Sequence, residues 1–206
     1  MMQAAIGFRA HSGWTALVAI ALDGARPRVL WRGRPHLVET FTFEFRQPFH
    51  TAEKAPIDEA RQIVSRAREE ATRLAREAIG KVEAVLQTQN CELRRCGLIL
   101  ASGRPLPALE RILASHALIH TADGELFRDA LLHAGRDCGL ETFAVKESEL
   151  VDKASSDLSL RPDEVLRRVA DLGSALGPPW TQDEKLAALV AWLALLRQNV
   201  AATRNC

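Results

Sequence analysis

The chain has 206 residues, of which 47% are hydrophobic and 26% charged, with a formal net charge of +1. That length suits one medium α/β domain with a sizeable core, and the charge balance excludes the broad basic field of a typical nucleic-acid-binding domain. A local basic patch is still compatible with it.

In chain order, residues 4–8 are short, apolar and strand-like, and the polar run Arg9-Ala10-His11-Ser12-Gly13 follows. Residues 14–22 resume the strand pattern, Asp23-Gly24 and Pro27 signal a turn, and residues 28–32 form a further strand. Residues 39–46 alternate, with Phe41, Phe43 and Phe45 on one face and Thr40, Thr42, Glu44 and Arg46 on the other, which predicts a half-buried strand. Gln47-Pro48-Phe49-His50 ends it, so the first quarter reads as an antiparallel meander of three strands.

Pro56 opens a long helix to about residue 86, with Ala60, Ile63, Val64, Ala67, Ala71, Leu74, Ala75 and Ala78 in three-four spacing and a charged opposite face. Residues 92–101 read as a central strand, and 107–139 as helix with an interruption near His120–Gly124. Residues 140–145 form another strand, 147–157 a loop and 161–176 a helix that Gly177-Pro178-Pro179 stops. Thr181 and Glu184 predict a capping box at the start of a last helix over 182–197. One domain over 1–198 with a frayed tail over 199–206 is expected. Trp180 and Trp192 are expected to anchor the C-terminal helices on the core.

Cys91, Cys96, Cys138 and Cys206 show no C-x-x-C pair, which predicts reduced thiols rather than a zinc knuckle. The N-terminus carries no basic-then-apolar leader, and the longest apolar run, residues 186–196, is about half the ~20 residues that span a bilayer. A cytoplasmic protein is expected.

The order of three strands, then helix, strand, helix, strand, helix, resembles the ribonuclease-H-like fold, a three-layer mixed α/β sheet, and within it the RuvC-like resolvases. Ala5-Ile6-Gly7-Phe8-Arg9 sits where that family has its first strand, a glycine and an aspartate. The stretch 178–195 is similar to its last helix. The resemblance implies carboxylates on the first strand, the fourth strand and the last helix holding two Mg2+ ions for phosphoryl transfer. Here Arg9 stands at the first position, Ala101-Ser102-Gly103 ends the fourth strand, and only Asp183 and Glu184 remain. The two acids also have a simpler reading, since acids stabilise a helix's first turn. Two-metal nuclease activity is therefore expected to be absent. His11-Ser12-Gly13-Trp14, Gln47-Pro48-Phe49-His50 and Ser115-His116 through Gly124-Glu125 are also similar to motifs of a bacterial family, a similarity that brings no activity with it.

In that fold the C-terminal ends of strands one, three and four share a sheet edge, where α/β sheets bind ligands. Four of the six histidines, His11, His50, His116 and His120, are expected to meet there, with Arg9, Asp123, Glu125, Asp183 and Glu184 nearby. His116 and His120 are spaced to share one helix face, which makes them the candidate metal ligands. His11, His50, His116, His120 and Glu125 are the candidate catalytic groups, and Arg9, Ser102, Arg104, Asp183 and Glu184 the candidate ligand-binding ones. Neutral imidazoles with a carboxylate suit a divalent transition metal and a hydrolytic site. Arg9, Arg104, the histidines and the helix after Pro105 suit a bound phosphate instead. The plain alternative is histidines that cap backbone or pack on Trp14 and Phe49. The reading favoured at this level is a non-nucleolytic domain binding nucleic acid or a nucleotide phosphate. A metal-dependent phosphoester hydrolase is the second reading. A homodimer paired through the 56–86 helix is the third.

Overall fold

A computed structural model describes residues 1–24, 26–101 and 105–197. Five strands form one sheet in the order β3-β2-β1-β4-β5, with β1 Met2–His11, β2 Trp14–Asp23, β3 Arg26–Gly33, β4 Cys91–Leu100 and β5 Glu141–Lys146. The first three strands are antiparallel neighbours, joined by Ser12-Gly13 and by a turn at Gly24; both glycines have positive φ. β4 lies parallel to β1 and to β5. This is the mixed sheet that the element order predicts.

Helices cover both faces. On one side lie α1 (Phe43–Arg46), α2 (Pro48–Ala52), α3 (Ile57–Thr88), α4 (Leu109–Leu113) and α5 (His116–Asp137). On the other lie α6 (Leu150–Leu158), α7 (Pro162–Asp171) and α8 (Gln182–Leu196). The period of two divides β1 between them. Ala4, Ile6 and Phe8 join the core under α3 and α5, while Ala5 joins the core under α8. Gly7 lies on the α8 face, where an added Cβ would meet the Ala187 carbonyl oxygen, and one on Gly97 of β4 would meet that of Val190. The two glycines let α8 rest directly on the sheet. Thr181 caps α8 in a full capping box with Glu184, as its spacing predicts. Trp192 is buried, and the Trp180 indole donates to the Val169 carbonyl at 3.0 Å.

Several expectations need correcting. Residues 39–46 are not a strand: they form a loop and the four-residue α1, and Phe41, Phe43 and Phe45 are exposed. Alternation specifies a buried face only where a sheet edge receives it. Here the Glu39 N–H is bonded to Glu70 of α3 at 2.8 Å and Arg46 to the Ser12 carbonyl at 3.1 Å. The segment is thereby tied to other partners. His50 accordingly lies on α2 rather than after a strand.

The interruption of the second helical stretch falls at Ala114-Ser115, and α5 runs unbroken through Asp123-Gly124. Asp123 bonds groups outside its own helix, so it does not terminate it, and tertiary packing overrides the ~1 kcal/mol propensity cost of Gly124. The expected loop 147–157 holds a 3-10 turn, Glu147–Glu149, and α6. Leu150 and Ala154, one helical turn apart, are buried against the α8 core.

In the 56–86 helix expected to pair two copies, Ala60, Ala71, Ala75 and Ala78 are buried in the core shared with α5, and Ala67 is partly buried against it. Cys91, Cys96 and Cys138 are free thiols. Among the described residues no helix is long and apolar enough to cross a membrane. Ser102, Arg104, Cys206 and the expected tail over 199–206 lie outside the described residues.

Candidate metal centre

Helix α2 begins with Pro48 in its first turn, a position whose missing N–H costs the helix nothing. Phe49 and Ala52 point into the core, which leaves His50 at the rim. His116 is the first residue of α5 and His120 lies one turn on, so the two rings share a face, with Asp123 a further turn along. Nε2 of His116 and Nε2 of His120 are 3.1 Å apart. The His50 ring stands 5.3 Å from that of His116 and 4.5 Å from that of His120, centre to centre. One nitrogen from each of the three histidines lies within 4.8 Å of the others. Three nitrogens around one tetrahedral Zn2+ at about 2.0–2.1 Å would be roughly 3.3–3.4 Å apart. Closing the set around one ion would bring its widest-spaced nitrogens, now within 4.8 Å, closer together.

Asp123 orients the set from behind. Only 2% of its surface is exposed, and its carboxylate accepts from the Phe49 N–H at 2.8 Å and contacts Nδ1 of His50 at 2.5 Å. Burial pushes its pKa up, opposed by the Phe49 hydrogen bond and by His50. With Nδ1 engaged by a carboxylate, His50 has Nε2 left for a metal, an arrangement common among metal-ligating histidines. His116 and His120 are exposed, so a fourth coordination position would open to solvent.

The other candidates lie elsewhere. His11 ends β1 on the α8 side of the sheet, as the period of two requires of an odd-numbered residue here. Its ring stacks on Trp14 at 4.2 Å. Its Nε2 is 3.2 Å from Oδ1 of Asp183 but is not aligned for a hydrogen bond. Burial lowers the pKa of His11, against the opposing pull of Asp183. Arg9, on the same face, contacts Asp183 and pairs with Glu147 at 2.9 Å. The Arg9 guanidinium thus lies between Asp183 and Glu147 and offsets one of their two negative charges. Glu184 serves the capping box and lies 3.7 Å from Arg32. Glu125 pairs with Arg128 on α5 at 3.2 Å, and burial raises its pKa. The structure thus brings His50, His116, His120 and Asp123 together and places Arg9, His11 and Asp183 in a separate charged group.

Two participants escape sequence reasoning. Glu147 looks like an ordinary loop acid. Phe43 looks like a strand-core residue, yet its ring meets that of His50 edge-on at 5.9 Å.

No protein-family model and no curated protein matches this chain. Among solved structures, Thermus thermophilus RuvC in complex with a Holliday junction substrate superposes with a TM-score of 0.52 at 11% identity, covering 94% of this chain and 93% of that one. A second Thermus thermophilus RuvC structure gives 0.50 at the same identity and coverage. At that identity the likeness is one of fold: the chain has the ribonuclease-H-like, RuvC-like α/β fold.

Proposed function

We propose that this domain binds one divalent transition metal through His50, His116 and His120 and uses it to hydrolyse a phosphate ester. The observation that carries the reading is the meeting of three imidazoles from two helices, one of them backed by the buried carboxylate of Asp123. A ribonuclease-H-like domain does not need such a set for stability. Two exposed histidines contribute little to a core, and the apolar residues of α5 already fill it. Three neutral imidazoles leave the ion's double positive charge uncompensated, and Asp123 offsets one unit of it. The site therefore favours an oxyanion. A water in the fourth position would have its pKa drawn down toward about 7. The ion would supply a hydroxide for attack on phosphorus, and the proton it releases to solvent at the exposed face would be matched by one that solvent returns to the leaving alkoxide as the P–O bond breaks. The two-metal nuclease reaction has no part in this proposal, because Arg9 occupies the acidic group near α8.

Calorimetric titration with Zn2+ and Mn2+ tests it. One equivalent should bind to the unaltered chain, and His116→Ala and His120→Ala should each abolish tight binding. Absence of binding in the unaltered chain, or binding unchanged in both variants, would overturn the reading.

A second reading, non-catalytic binding of nucleic acid, draws support from cations seated on aromatic rings. Arg34 lies over Trp14 at 3.7 Å and Arg46 over Phe41 at 4.5 Å. The RuvC of the comparison was solved on a Holliday junction. Salt-sensitive DNA binding that persists in His116→Ala would favour this reading over the first.

A further inference from the structure

Phe43 stands out among the apolar residues of this chain. Its side chain is 62% exposed although the fold has two well-filled cores. Helix α1, which carries it, buries none of its four residues. Its neighbour Phe41 is already occupied, stacked on His36 at 4.4 Å and covered by Arg46 at 4.5 Å. Among the described residues Phe43 meets one other ring, and that ring is His50, edge-on, with 64° between the planes. At that exposure most of the phenylalanine ring stays open to solvent. The exposed ring thus lies 5.9 Å, centre to centre, from a candidate metal ligand.

The same place favours an anion. His116 occupies the first helical position of α5, a helix of 22 residues, and the Ser115 side chain makes no capping bond there. The N–H groups of that first turn are therefore left for an outside acceptor, beside the three imidazoles. The surface combines a positive centre with a flat apolar ring next to it. A ligand that satisfies both carries a phosphate at one end and an aromatic ring at the other.

We propose that the three-histidine centre takes a phosphate ester bearing a flat aromatic ring, of the nucleotide class, and that Phe43 is the specificity-determining residue that stacks the ring. This rests on the metal reading above. The phosphate engages the fourth coordination position and the first turn of α5, and the ring lies against Phe43.

The test uses the full chain loaded with Co2+, whose visible absorption reports both uptake of the ion and arrival of a phosphate on it. Adenosine 5′-monophosphate and ribose 5-phosphate are titrated against the unaltered chain, Phe43→Ala and Phe43→Leu. Stacking of one base is worth enough to give the nucleotide about a tenfold or greater advantage. That advantage should fall to near one in Phe43→Ala and stay low in Phe43→Leu, which restores apolar bulk without a ring. Leu166→Ala, which removes another exposed apolar residue on α7, should keep it. Equal affinity for the two phosphates in the unaltered chain, or an advantage unchanged in Phe43→Ala, overturns the assignment while leaving the metal reading standing. Failure of the unaltered chain to take up Co2+ overturns both.

Discussion

Asp123 is a carboxylate held almost wholly out of water, and two partners keep it there: the Phe49 N–H and His50. Its charge also fixes which nitrogen of His50 carries a proton. Asp123→Asn keeps the shape and removes the charge, so metal affinity should drop by about 10–100-fold in calorimetry. Across the sheet, His11 offers a test by pH. Burial lowers its pKa below 6.5 more strongly than Asp183 raises it, with Arg9 and Arg34 adding to the lowering. The unfolded chain then takes up a proton at a higher pH than the folded one. Stability carried by neutral His11 is present above about pH 6.5 and is lost as pH falls through the lower folded value. In urea melts between pH 7.5 and 5, His11→Gln should lose less stability than the unaltered chain. At this scale the sequence reveals which side chains can do chemistry but not which ones meet. The pairing of His116 with His120 is legible from spacing alone. The meeting of His50 with Asp123 spans 73 residues and depends on how α2 docks on α5.

Elements were legible where periodicity had a surface to act on. The long helix, the central strand and the capped last helix follow their patterns closely, since each has a buried face and a defined end. The pattern of Phe41, Phe43 and Phe45 is as regular as any in the chain, yet no strand edge meets it. Alternation alone cannot distinguish a sheet face from an exposed aromatic display. Leu150 and Ala154 carry a one-turn spacing that the surrounding acids and serines obscure. The contact of α8 with the sheet gives a prediction for elements. A Cβ at Gly7 or Gly97 would collide with the α8 backbone, which cannot move aside as a side chain can. Gly7→Ala and Gly97→Ala should each cost at least the ~1–3 kcal/mol typical of overpacking, read as a lowered denaturation midpoint in urea. Gly80→Ala, where nothing lies near the added Cβ, should be neutral or stabilising.

At the scale of the whole molecule the sheet separates two chemistries. The histidine centre lies on the α5 side, and the Arg9–Asp183–Glu147 group on the α8 side. Changes in one are expected to leave the other's geometry intact. Self-association through Ala60, Ala71, Ala75 and Ala78 of α3 would require these residues to leave the core they share with α5. The glycine contacts beneath α8 bear on how the molecule is made. Gly7 is the seventh residue of this sequence, and its packing partner Ala187 comes 180 positions later. During synthesis every strand is made before that partner exists, so one face of the sheet waits uncovered until α8 follows. The apolar strips of β1, β2 and β4 are exposed throughout that wait, to chaperones and to neighbouring chains alike. A ribosome stalled before residue 182 would hold a chain with its histidine centre complete and half of its core open.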